Sequence, residues 1–501
     1  MALRSYGLID VLRRNAAISG RRAAFIFEGQ TITHADHLAR VERLAAALSA
    51  IGVKPGDRIA IIADNSPDFI AAYGAAAWLG AILVPVNWRL SADEIAWIIG
   101  DAAPLVVLAS IGRQEELRAS RPEYASVRRW IGIGASTPPF DNLSELIESA
   151  GAAPAPQPDD GPFVIIHTAA VGGRPRGALL TQAGLLANSM QAIAAWNVTP
   201  DDVAYLPLPL FHVAGLNLLL TGLHAGACAV VAQKFEARQA AAQIAAHQAT
   251  LFVEFAPMLG QLLDTAAGDA SLASLRVVSG LDTPETIGRF EAACPAARFY
   301  AAFGQTETSG FVTMAAWRNR PGSAGLPMFM NAVAVVDESD RPLPAGETGE
   351  IVVRGPGVFG GYWNLPDDTA STFRNGWHHT GDTGAFDADG YLFYKGRSAA
   401  KELIKPGGEN VYPAEVEAAL KAHPAVEEAI VFGVADKDWG EAVKAVCALH
   451  AGARATPDEI VAFVAGRIAR YKRPKHLVLA DALPRKPDGT PDRAKVKIDF
   501  A

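Results

Sequence analysis

Residues 163–177 read Phe163-Val-Ile-Ile-His-Thr-Ala-Ala-Val-Gly-Gly-Arg-Pro-Arg-Gly177. The apolar start is typical of a buried strand, and a helix is predicted to open near Thr181. Three glycines and two arginines follow the strand, a composition that lets backbone N–H groups and guanidinium groups approach phosphate oxygens. No Gly-Lys-Ser/Thr leads into the helix, so the loop is not a Walker A loop. For this stretch alone, an ordinary glycine- and proline-rich surface connection remains the alternative.

The same alternation of strand and helix signals extends along the chain. Residues 58–63 and 105–108 read as buried strands, and residues 92–99 read as a helix. Residues 69–86 carry no charge over 18 positions, but two glycines and a proline interrupt them. We therefore predict a buried helix that runs into a buried strand rather than a transmembrane helix. The alternation predicts an α/β fold of doubly wound parallel sheets, covered by helices on both faces.

The pattern of predicted helices and strands changes near residue 322 and again after Arg397. Between these points, short strand candidates alternate with glycine and proline turns, which predicts a small β-barrel subdomain. Beyond Arg397 a capped helix start at Thr456 and further strands predict a separate α+β domain. The strand candidates of the β-rich part are 332–337, 349–354, 384–387 and 391–394. The predicted segments are 1–160 and 161–321 for two αβ subdomains, 322–396 for the β-rich subdomain, 397–402 for a hinge and 403–501 for the C-terminal domain.

Composition excludes several classes of protein. The chain has 501 residues, of which 50% are hydrophobic and 20% charged, as in soluble globular proteins. Its net charge of −8 argues against a protein that binds nucleic acid through backbone phosphates. The cysteines, Cys228, Cys294 and Cys447, lack metal-ligand spacing, which argues against a disulfide scaffold or a structural zinc site and favours a cytoplasmic location. The first 27 residues have no apolar run typical of a signal peptide, so we expect no integral membrane association.

In three further motifs, side chains that carry oxygen atoms or charge stand next to glycine. In Phe299-Tyr-Ala-Ala-Phe-Gly-Gln-Thr-Glu-Thr-Ser-Gly310, the Glu307 carboxylate is suited to Mg²⁺ and the Thr306 hydroxyl to phosphate. In Thr380-Gly-Asp382, an aspartate in a tight turn is suited to the two hydroxyls of a ribose. Residues 396–417 mix glycine with charge, which is typical of a hinge. Each motif alone also fits a solvated turn or a linker, but all four in this order favour one joint function.

In this order the motifs resemble the adenylate-forming superfamily, and within it the branch of acyl- and aryl-CoA synthetases. The resemblance covers essentially all of the chain. It rests on Pro207-Leu-Pro-Leu-Phe-His212-Val-Ala-Gly215, Phe303-Gly-Gln-Thr-Glu307, Gly376-Trp-His-His-Thr-Gly-Asp382, Asn410-Val-Tyr-Pro-Ala-Glu-Val-Glu417 and Tyr471-Lys-Arg-Pro474.

The resemblance implies a reaction in two steps with ATP, Mg²⁺ and CoA. A carboxylic acid attacks the α-phosphate of ATP to give an acyl-adenylate and pyrophosphate, the C-terminal domain then moves, and CoA takes the acyl group. The catalytic residues implied are Thr306, Glu307, Lys405 and His212, with Thr168 and Glu307 as ligands of Mg²⁺. The nucleotide would lie against Thr168, Gly172, Gly173, Arg174, Arg176, Gly280, Leu281, Phe303, Gly304, Gln305, Thr306, Asp382 and Arg397. The acyl and CoA pocket would use His212, Gly215, Gly280, Ala302, Gly407 and Gly408, and the hinge would be Lys401 and Glu402.

The sequence departs from the family pattern at two places. In the phosphate loop three side-chain hydroxyls are missing, and Arg176 replaces the usual lysine. Near the end, Pro484-Arg-Lys-Pro-Asp-Gly489-Thr490 has threonine where the family has its main adenylation lysine. The loss of one preorganised charged donor costs on the order of 10²–10³ in rate. Lys486, Lys495 and Lys497 are the candidates to replace it.

These departures leave three interpretations. The first is a complete acyl- or aryl-CoA synthetase, the second a protein that binds nucleotide or acyl ligand, and the third an enzyme of the thioester half-reaction only. The predicted acyl wall is small and apolar and has no basic residue for a second carboxylate, which favours a fatty or aromatic monoacid. We expect a monomer or a homodimer. The wall residues are Val213, Ala214, Gly215, Phe255, Ala256, Leu281, Ala301, Ala302 and Ser309.

Overall fold

The computed structural model of the protein describes residues 6–120, 124–158, 161–168, 174–265, 270–397, 403–407, 409–436, 439–486 and 490–500. The chain divides into two compact units. The first unit is Met1–Trp88, Ile99–His167 and Gly177–Gly396, and the second is Arg89–Ile98, Thr168–Arg176 and Arg397–Ala501. The predicted subdivision of residues 1–396 into three subdomains stays a prediction.

The helices and strands alternate along the chain. The helices are α1 Leu8–Ser19, α2 His34–Ala50, α3 Pro67–Leu79, α4 Ala92–Ala102, α5 Ile111–Ser120, α6 Leu143–Ser149, α7 Gln182–Trp196, α8 Val213–Ala225, α9 Ala237–His247, α10 Met258–Thr265, α11 Pro284–Ala293, α12 Pro366–Thr372, α13 Pro413–Lys421, α14 Pro457–Val464 and α15 Arg493–Asp499. The strands of the first half are β1 Ala23–Phe27, β2 Gln30–Thr33, β3 Arg58–Ile62, β4 Ile82–Pro85, β5 Val106–Ser110, β6 Arg129–Ile133, β7 Asp141–Asn142, β8 Pro162–Thr168, β9 Arg176–Thr181, β10 Val203–Leu206, β11 Cys228–Val231 and β12 Leu251–Phe255. Those of the second half are β13 Val277–Leu281, β14 Arg298–Gln305, β15 Gly310–Ala316, β16 Leu326–Pro327, β17 Ala332–Val336, β18 Gly349–Arg354, β19 Phe373–Arg374, β20 Trp377–Phe386, β21 Leu392–Arg397, β22 Val426–Asp436, β23 Gly440–Leu449 and β24 His476–Ala480.

Two largely parallel sheets confirm the predicted α/β class. One sheet has the order β16-β15-β14-β13-β12-β10-β11-β1-β2. The six consecutive strands from β14 to β1 in this order are all parallel to their neighbours. The other has the order β7-β6-β5-β3-β4-β8-β9. The uncharged stretch forms α3, whose residues 69–79 are all buried, and then β4. That stretch is apolar because helix and strand are both enclosed. Among the described residues, no helix is both long and apolar enough to cross a membrane.

Strand β12 is covered on both faces, and this positions the candidate site. Leu251 and Val253 enter one hydrophobic core, together with residues of α2, α3, α7 and α8. Phe252 points to the opposite side and enters a second core with residues of α9, α10 and α11. Alternate side chains of a strand point to opposite faces, so Glu254 lies on the same side as Phe252. The carboxyl ends of parallel strands are where ligands bind in such sheets.

The β-rich part shows one clear difference from the sequence prediction. Its sheet has the order β17-β18-β20-β19, and β21 pairs with β20. Asp382 was predicted in a tight turn, but it lies within the long strand β20. The strand continues through this position because Thr383 pairs with Glu350 of β18, and a bulge follows between Glu350 and Val352. Gly381 takes a φ of +71°, which only glycine adopts readily, and so lets the strand pass the bulge.

The second unit is an α+β structure built around a small sheet. Its strands have the order β22-β23-β24, with β22 and β23 antiparallel and β23 and β24 parallel. Helix α14 begins as predicted, because the Thr456 hydroxyl accepts from the Glu459 N–H and a proline stands at the first helical position.

Candidate active site

The turn between β14 and β15 holds Glu307 at the end of the first sheet. The Thr308 hydroxyl accepts a hydrogen bond from the Gln305 N–H at 2.9 Å and donates one to the Gly310 carbonyl at 2.8 Å. A side chain on Gly304 would overlap that same carbonyl oxygen, so only glycine fits there. The backbone of the turn is therefore fixed before any ligand binds.

Glu307 is half-buried and is oriented by a tyrosine. The Tyr362 hydroxyl donates a hydrogen bond to a carboxylate oxygen of Glu307 at 2.9 Å, and the Phe359 N–H donates to its backbone carbonyl at 2.9 Å. The preceding Thr306 is buried, and its carbonyl accepts from the Ser309 N–H at 2.9 Å. This arrangement presents a carboxylate in a defined direction, as a metal ligand or a phosphate-facing group requires.

Asp382 is buried at the centre of a hydrogen-bond network. One carboxylate oxygen accepts from the Tyr394 hydroxyl at 3.2 Å, and the other accepts from the side-chain amide of Gln305. The same amide donates to the Thr380 carbonyl at 3.0 Å, and its oxygen lies 3.3 Å from Nε2 of His378. The structure thus brings together Gln305 and Asp382, two of the predicted nucleotide residues, although they are far apart in sequence.

Phe303 lies beside this network but is itself covered. Its ring stacks on that of Tyr394 with centroids 6.0 Å apart, and only 8% of Phe303 is exposed, against 41% of Tyr394. The aromatic surface offered to a ligand is therefore mostly that of Tyr394, which the sequence analysis did not single out. The stacking of adenine on Phe303 stays a prediction.

His212 caps the N-terminus of α8, and its place beside the acyl group stays a prediction. Its Nδ1 accepts a hydrogen bond from the Ala214 N–H at 3.2 Å, and its ring meets the Phe255 ring edge-on with centroids 6.0 Å apart. Gly215 has a packing role, because a side chain there would overlap the carbonyl oxygen of Pro209. A direct role of Gly215 in the pocket stays a prediction.

Gly280 and Leu281 lie at the carboxyl end of β13. Gly280 pairs with Glu254 of β12 on one side and with Ala301 of β14 on the other. Leu281 is exposed, whereas Ala302 is buried in the core. Gly280 and Leu281 therefore lie at the carboxyl edge of the sheet, and their contact with adenine and the acyl group stays a prediction.

Two carboxyl groups in this region were missed by the sequence analysis. Glu254 is fully buried, and the Leu259 N–H is a backbone hydrogen-bond donor beside its carboxylate. Burial and the nearby Asp282 carboxylate raise its pKa well above the usual range, against a smaller opposing effect of the Leu259 N–H. Burial also raises the pKa of Asp282. A signal existed, because glutamate interrupts the otherwise apolar run Leu251–Phe255 of a strand covered on both faces.

The predicted phosphate loop is described only at its two ends. Gly172 and Gly173 lie outside the described residues. Thr168 ends β8, and its hydroxyl donates a long hydrogen bond of 3.5 Å to the carbonyl of Arg176, which begins β9. Arg174 is exposed. The sequence analysis expected the loop to lead into a helix near Thr181, and β9 comes first, with the Thr181 hydroxyl then capping α7.

The hinge and CoA residues belong to the second unit. Arg397 donates a hydrogen bond to the Tyr412 hydroxyl and lies over that ring at 5.6 Å from its centroid. The Lys405 side chain is exposed, and its N–H donates to the Glu441 carboxylate at 2.7 Å. Gly407 has a φ of +58° and donates its N–H to the Trp439 carbonyl at 2.8 Å. Lys401, Glu402 and Gly408 lie outside the described residues.

Thr490 closes a short hairpin near the end of the chain. Its carbonyl accepts from the Lys486 N–H at 2.8 Å, and Arg485 pairs with Pro491. The Lys486 and Lys495 side chains are exposed, and that of Lys497 is half-buried. All three therefore remain candidates for the charge that the family lysine supplies.

Comparisons with known proteins agree with this geometry. Residues 12–363 match the family described as AMP-binding enzyme, and residues 415–490 match the AMP-binding enzyme C-terminal domain. An indoleacetate–CoA ligase of Aromatoleum aromaticum is 35% identical over 95% of both chains. A putative long-chain-fatty-acid CoA ligase of Rhodopseudomonas palustris, a solved structure, is 54% identical over 79% of this chain and all of its own, with a TM-score of 0.76. An o-succinylbenzoate CoA synthetase double mutant of Bacillus subtilis, bound to a product analogue, is 28% identical over 97% of both chains, with a TM-score of 0.87.

These relatives are named as ligases of different acids, and the indoleacetate ligase and the o-succinylbenzoate synthetase match over nearly the full length of this chain, which has a large N-terminal and a small C-terminal part. They support acid activation followed by transfer to CoA, with ATP and CoA as substrates, and give no support to a role limited to binding or to the thioester step. Mg²⁺, the cellular location and the oligomeric state stay predictions. By sequence and by fold, this chain belongs to the AMP-binding enzyme family and is an acid–thiol ligase of its acyl- and aryl-CoA branch.

Proposed function

We propose that ATP binds where β14, β20 and β21 meet, and that a monocarboxylic acid, aliphatic or aromatic, binds at the carboxyl ends of β12 and β13. The observation that carries the proposal is the bonded network of Gln305, Asp382 and Tyr394, next to the Glu307 turn. A network of this kind holds polar groups rigid before the ligand arrives, and such preorganisation is what phosphoryl transfer uses.

Asp382 is the proposed acceptor for the ribose hydroxyls. An ionised carboxylate offers about four lone-pair sites, and Gln305 and Tyr394 use one on each oxygen. The ribose hydroxyls are proposed to donate to this same oriented carboxylate. The two side chains that already bind Asp382 fix its orientation, which lowers the entropy lost when the nucleotide binds.

Glu307 is the proposed protein ligand of Mg²⁺. The described residues contain no group of three or more acidic, histidine or cysteine side chains that could hold a metal by themselves. A single carboxylate fits Mg²⁺ nevertheless, because this ion is usually bound by one or two carboxylates together with substrate phosphates and water. When bound, the ion neutralises charge on the phosphates. The resemblance adds Thr168 as a second ligand.

The acid is proposed to lie against His212, Phe255 and Leu281. One oxygen of its carboxylate attacks the α-phosphorus, a P–O bond forms, and the bond to pyrophosphate breaks. The mixed anhydride is then attacked by the CoA thiol, AMP leaves, and the thioester remains. Residues 405–407 of the second unit are proposed to act in this second step. Little proton transfer is needed in the first step, so positioning and charge neutralisation are the main demands on the protein.

The test replaces Glu307 by glutamine and measures pyrophosphate release against Mg²⁺ concentration, in the presence of ATP and an accepted acid. The amide keeps the shape and the bond to Tyr362 but loses the negative charge, so we expect activity on the order of 10²–10³ lower at limiting Mg²⁺. Excess Mg²⁺ should restore part of it. Glu291→Gln is the control, since Glu291 is also partly buried and accepts the Phe299 N–H at 3.2 Å but lies on α11. An unchanged Mg²⁺ dependence in Glu307→Gln would refute the assignment.

A further inference from the structure

Two buried asparagines lie behind the turn that carries Glu307. Asn188 belongs to α7 and Asn217 to α8, two helices that pack against each other, and each asparagine is only 1% exposed. Burial of a primary amide is costly unless its polar atoms are hydrogen-bonded. The bonding partners of the two amides therefore indicate what these positions do.

The Asn188 amide binds the backbone of Phe311 at two points. Its Nδ2 donates to the Phe311 carbonyl at 2.7 Å, and its Oδ1 accepts from the Phe311 N–H at 3.2 Å. The register of β15 with β16 consists of Thr313 and Met314, which come after Phe311 in the chain. A primary amide carries a donor and an acceptor side by side, as one residue of a strand does, so Asn188 acts in the place of a neighbouring strand.

The Asn217 amide holds the residue at which the turn ends. Its Nδ2 donates to the Ser309 carbonyl at 2.7 Å, and Ser309 has a φ of +54°. Residues with a side chain rarely take this left-handed conformation, and it persists where the surroundings enforce it. A side chain on Gly310 would overlap the Asn217 amide, so the glycine lets the amide approach the backbone this closely.

The backbone that the two amides bind is one side of the stem of the turn. In the register of β14 and β15, residues 304 and 305 pair with residues 311 and 310. Glu307 lies in the turn between the two sides. Because the amides fix residues 309–311, they also fix the direction in which the Glu307 carboxylate leaves the stem.

An ordinary role in the core explains less. A core amide needs hydrogen-bond partners, and any buried backbone segment could supply them. Here two helices direct their amides to three consecutive residues, 309–311, and these begin two residues after Glu307. Tyr362 orients the carboxylate of Glu307, whereas the asparagines hold the backbone that carries it. The turn is therefore held at both its side chain and its main chain.

We propose that Asn188 and Asn217 are positioning residues of the adenylation step, which hold the turn so that the Glu307 carboxylate meets Mg²⁺ and the phosphates of ATP. They act through the backbone of residues 309–311 and not by contact with a substrate. This inference rests on the proposed role of Glu307 and adds to it the two helices that keep the carboxylate in place.

The test replaces each asparagine of the full chain by leucine, which has the same branching of heavy atoms but no polar group. Pyrophosphate release is measured against the concentrations of Mg²⁺ and ATP, with an accepted acid. Misplacement of a catalytic group by about 1 Å can cost about 10²-fold in rate, so we expect kcat/KM for ATP to fall by about 10- to 100-fold. Half-maximal activity should also need more Mg²⁺. Asn188→Ala and Asn217→Ala give the same comparison where a leucine variant does not fold.

Gln114→Leu is the matched control. Gln114 is also 1% exposed, and its amide donates to the Ala135 carbonyl at 3.0 Å and accepts from the Thr137 N–H at 3.1 Å. It lies on α5 and covers Gly132 of β6, a strand of the other sheet. This variant should lose thermal stability as the asparagine variants do, because each leaves backbone groups without their partner. It should keep the native Mg²⁺ dependence, and asparagine variants that keep it too would overturn the proposal.

Combination with Glu307→Gln tests whether the asparagines act through Glu307. Residues that act as a unit give strongly non-additive effects. In the Glu307→Gln background, Asn217→Leu should therefore reduce kcat/KM for ATP much less than it does in the native protein. Full multiplication of the two losses would refute a role through Glu307.

Two measurements without turnover separate this inference from the proposed function. Hydrogen exchange of peptides from residues 299–316, without ligand, should be faster in both asparagine variants than in Gln114→Leu, and equal exchange would overturn the inference. ATP is also titrated calorimetrically with and without Mg²⁺. The gain in affinity from Mg²⁺ should be smaller in the asparagine variants and in Glu307→Gln. A smaller gain in Glu307→Gln alone overturns only the inference, and an unchanged gain in all variants overturns the Glu307 assignment with it.

Discussion

At the scale of single residues, two carboxylates of the site are each oriented by a tyrosine hydroxyl. Tyr394 donates to Asp382 at 3.2 Å, and Tyr362 donates to Glu307 at 2.9 Å. A carboxylate held in this way loses little freedom when a ligand binds. The structure thus orients both carboxylates before a ligand binds.

Asp382→Asn should weaken nucleotide binding. The amide cannot accept on both sides, so one ribose hydroxyl loses its acceptor and the Gln305 amide faces another N–H donor. Loss of a hydrogen bond to a charged group costs about 1.5–3 kcal/mol, which corresponds to roughly a 10- to 150-fold lower kcat/KM for ATP. Steady-state kinetics with varied ATP at saturating acid measure this.

The matched control is Asp387→Asn, since Asp387 follows the same strand but pairs with Arg320 at the surface. Its kinetics should equal those of the native protein. If Asp382→Asn behaves like this control, Asp382 does not bind ATP.

Single residues also show what the sequence could not predict. Glu307 and Asp382 stand in motifs whose chemistry is legible in one dimension. Tyr362 and Tyr394 have no such motif, because each acquires its role only when strands and loops distant in sequence come together. Tyr394, for example, reaches Asp382 because β21 pairs with β20.

At the scale of elements, the strand and helix signals predicted the order and type of the elements well. They predicted the first and last residues of each element less well. Residues 58–63 and 92–99 were predicted correctly in type and nearly in extent. The sequence analysis placed the start of strand β20 too late in the chain, because residues 378–382 look like a turn. In the structure this part of the strand pairs with β18, and all five residues are buried. Strand β9 was missed since Gly177 and the arginines before it suggested only a loop. Pairing partners decide such cases, and composition does not show them.

A buried ion cluster connects elements of the second unit. Lys472 is buried and binds the carboxylates of Glu94 and Glu415. The second oxygen of Glu94 accepts the N–H groups of Ser91 at 2.7 Å and Ala469 at 3.0 Å. Burial raises the pKa of Glu415 to about 7, although Lys472 opposes this. The lysine therefore neutralises two carboxylates that would otherwise be buried without a counter-charge.

Lys472→Met should destabilise the second unit by about 3–5 kcal/mol at pH 8. Without the lysine the folded-state pKa values of both glutamates rise above the unfolded values. The folded variant then binds more protons than the unfolded chain, so its deficit shrinks as the pH falls from 8 to 5.5. Hydrogen exchange of α13 and α14 peptides measures the local stability at both pH values.

Lys475→Met is the control for this change. Lys475 is three residues away and pairs with Asp436, but about half of its side chain is exposed (47%). Water reaches the Lys475 side of this pair, although only 7% of the Asp436 side chain is exposed, so a smaller loss of stability than in Lys472→Met is expected at either pH. Equal protection in the two variants would contradict the role given to Lys472.

At the scale of the whole molecule, the alternation of strands and helices and the order of the motifs were enough to predict the α/β class and the family. The match over residues 12–363 and 415–490 extends this to the full architecture. The identity of the acid could not be predicted, because the residues proposed for the pocket wall come from several elements that are distant in sequence. The departure at Thr490 also concerns the whole molecule. With threonine at this position, the positive charge used in adenylation must come from another residue of the chain.

The most direct test of the central claim is acid-dependent pyrophosphate release by the purified chain with ATP and Mg²⁺, with and without CoA, and with thioesters identified by mass. The account predicts release with at least one monocarboxylic acid, a CoA thioester of that acid, and loss of on the order of 10²-fold or more in one of Lys486→Ala, Lys495→Ala and Lys497→Ala. ATP binding without pyrophosphate release for any acid, while a supplied acyl-adenylate is still converted to its thioester, would contradict it.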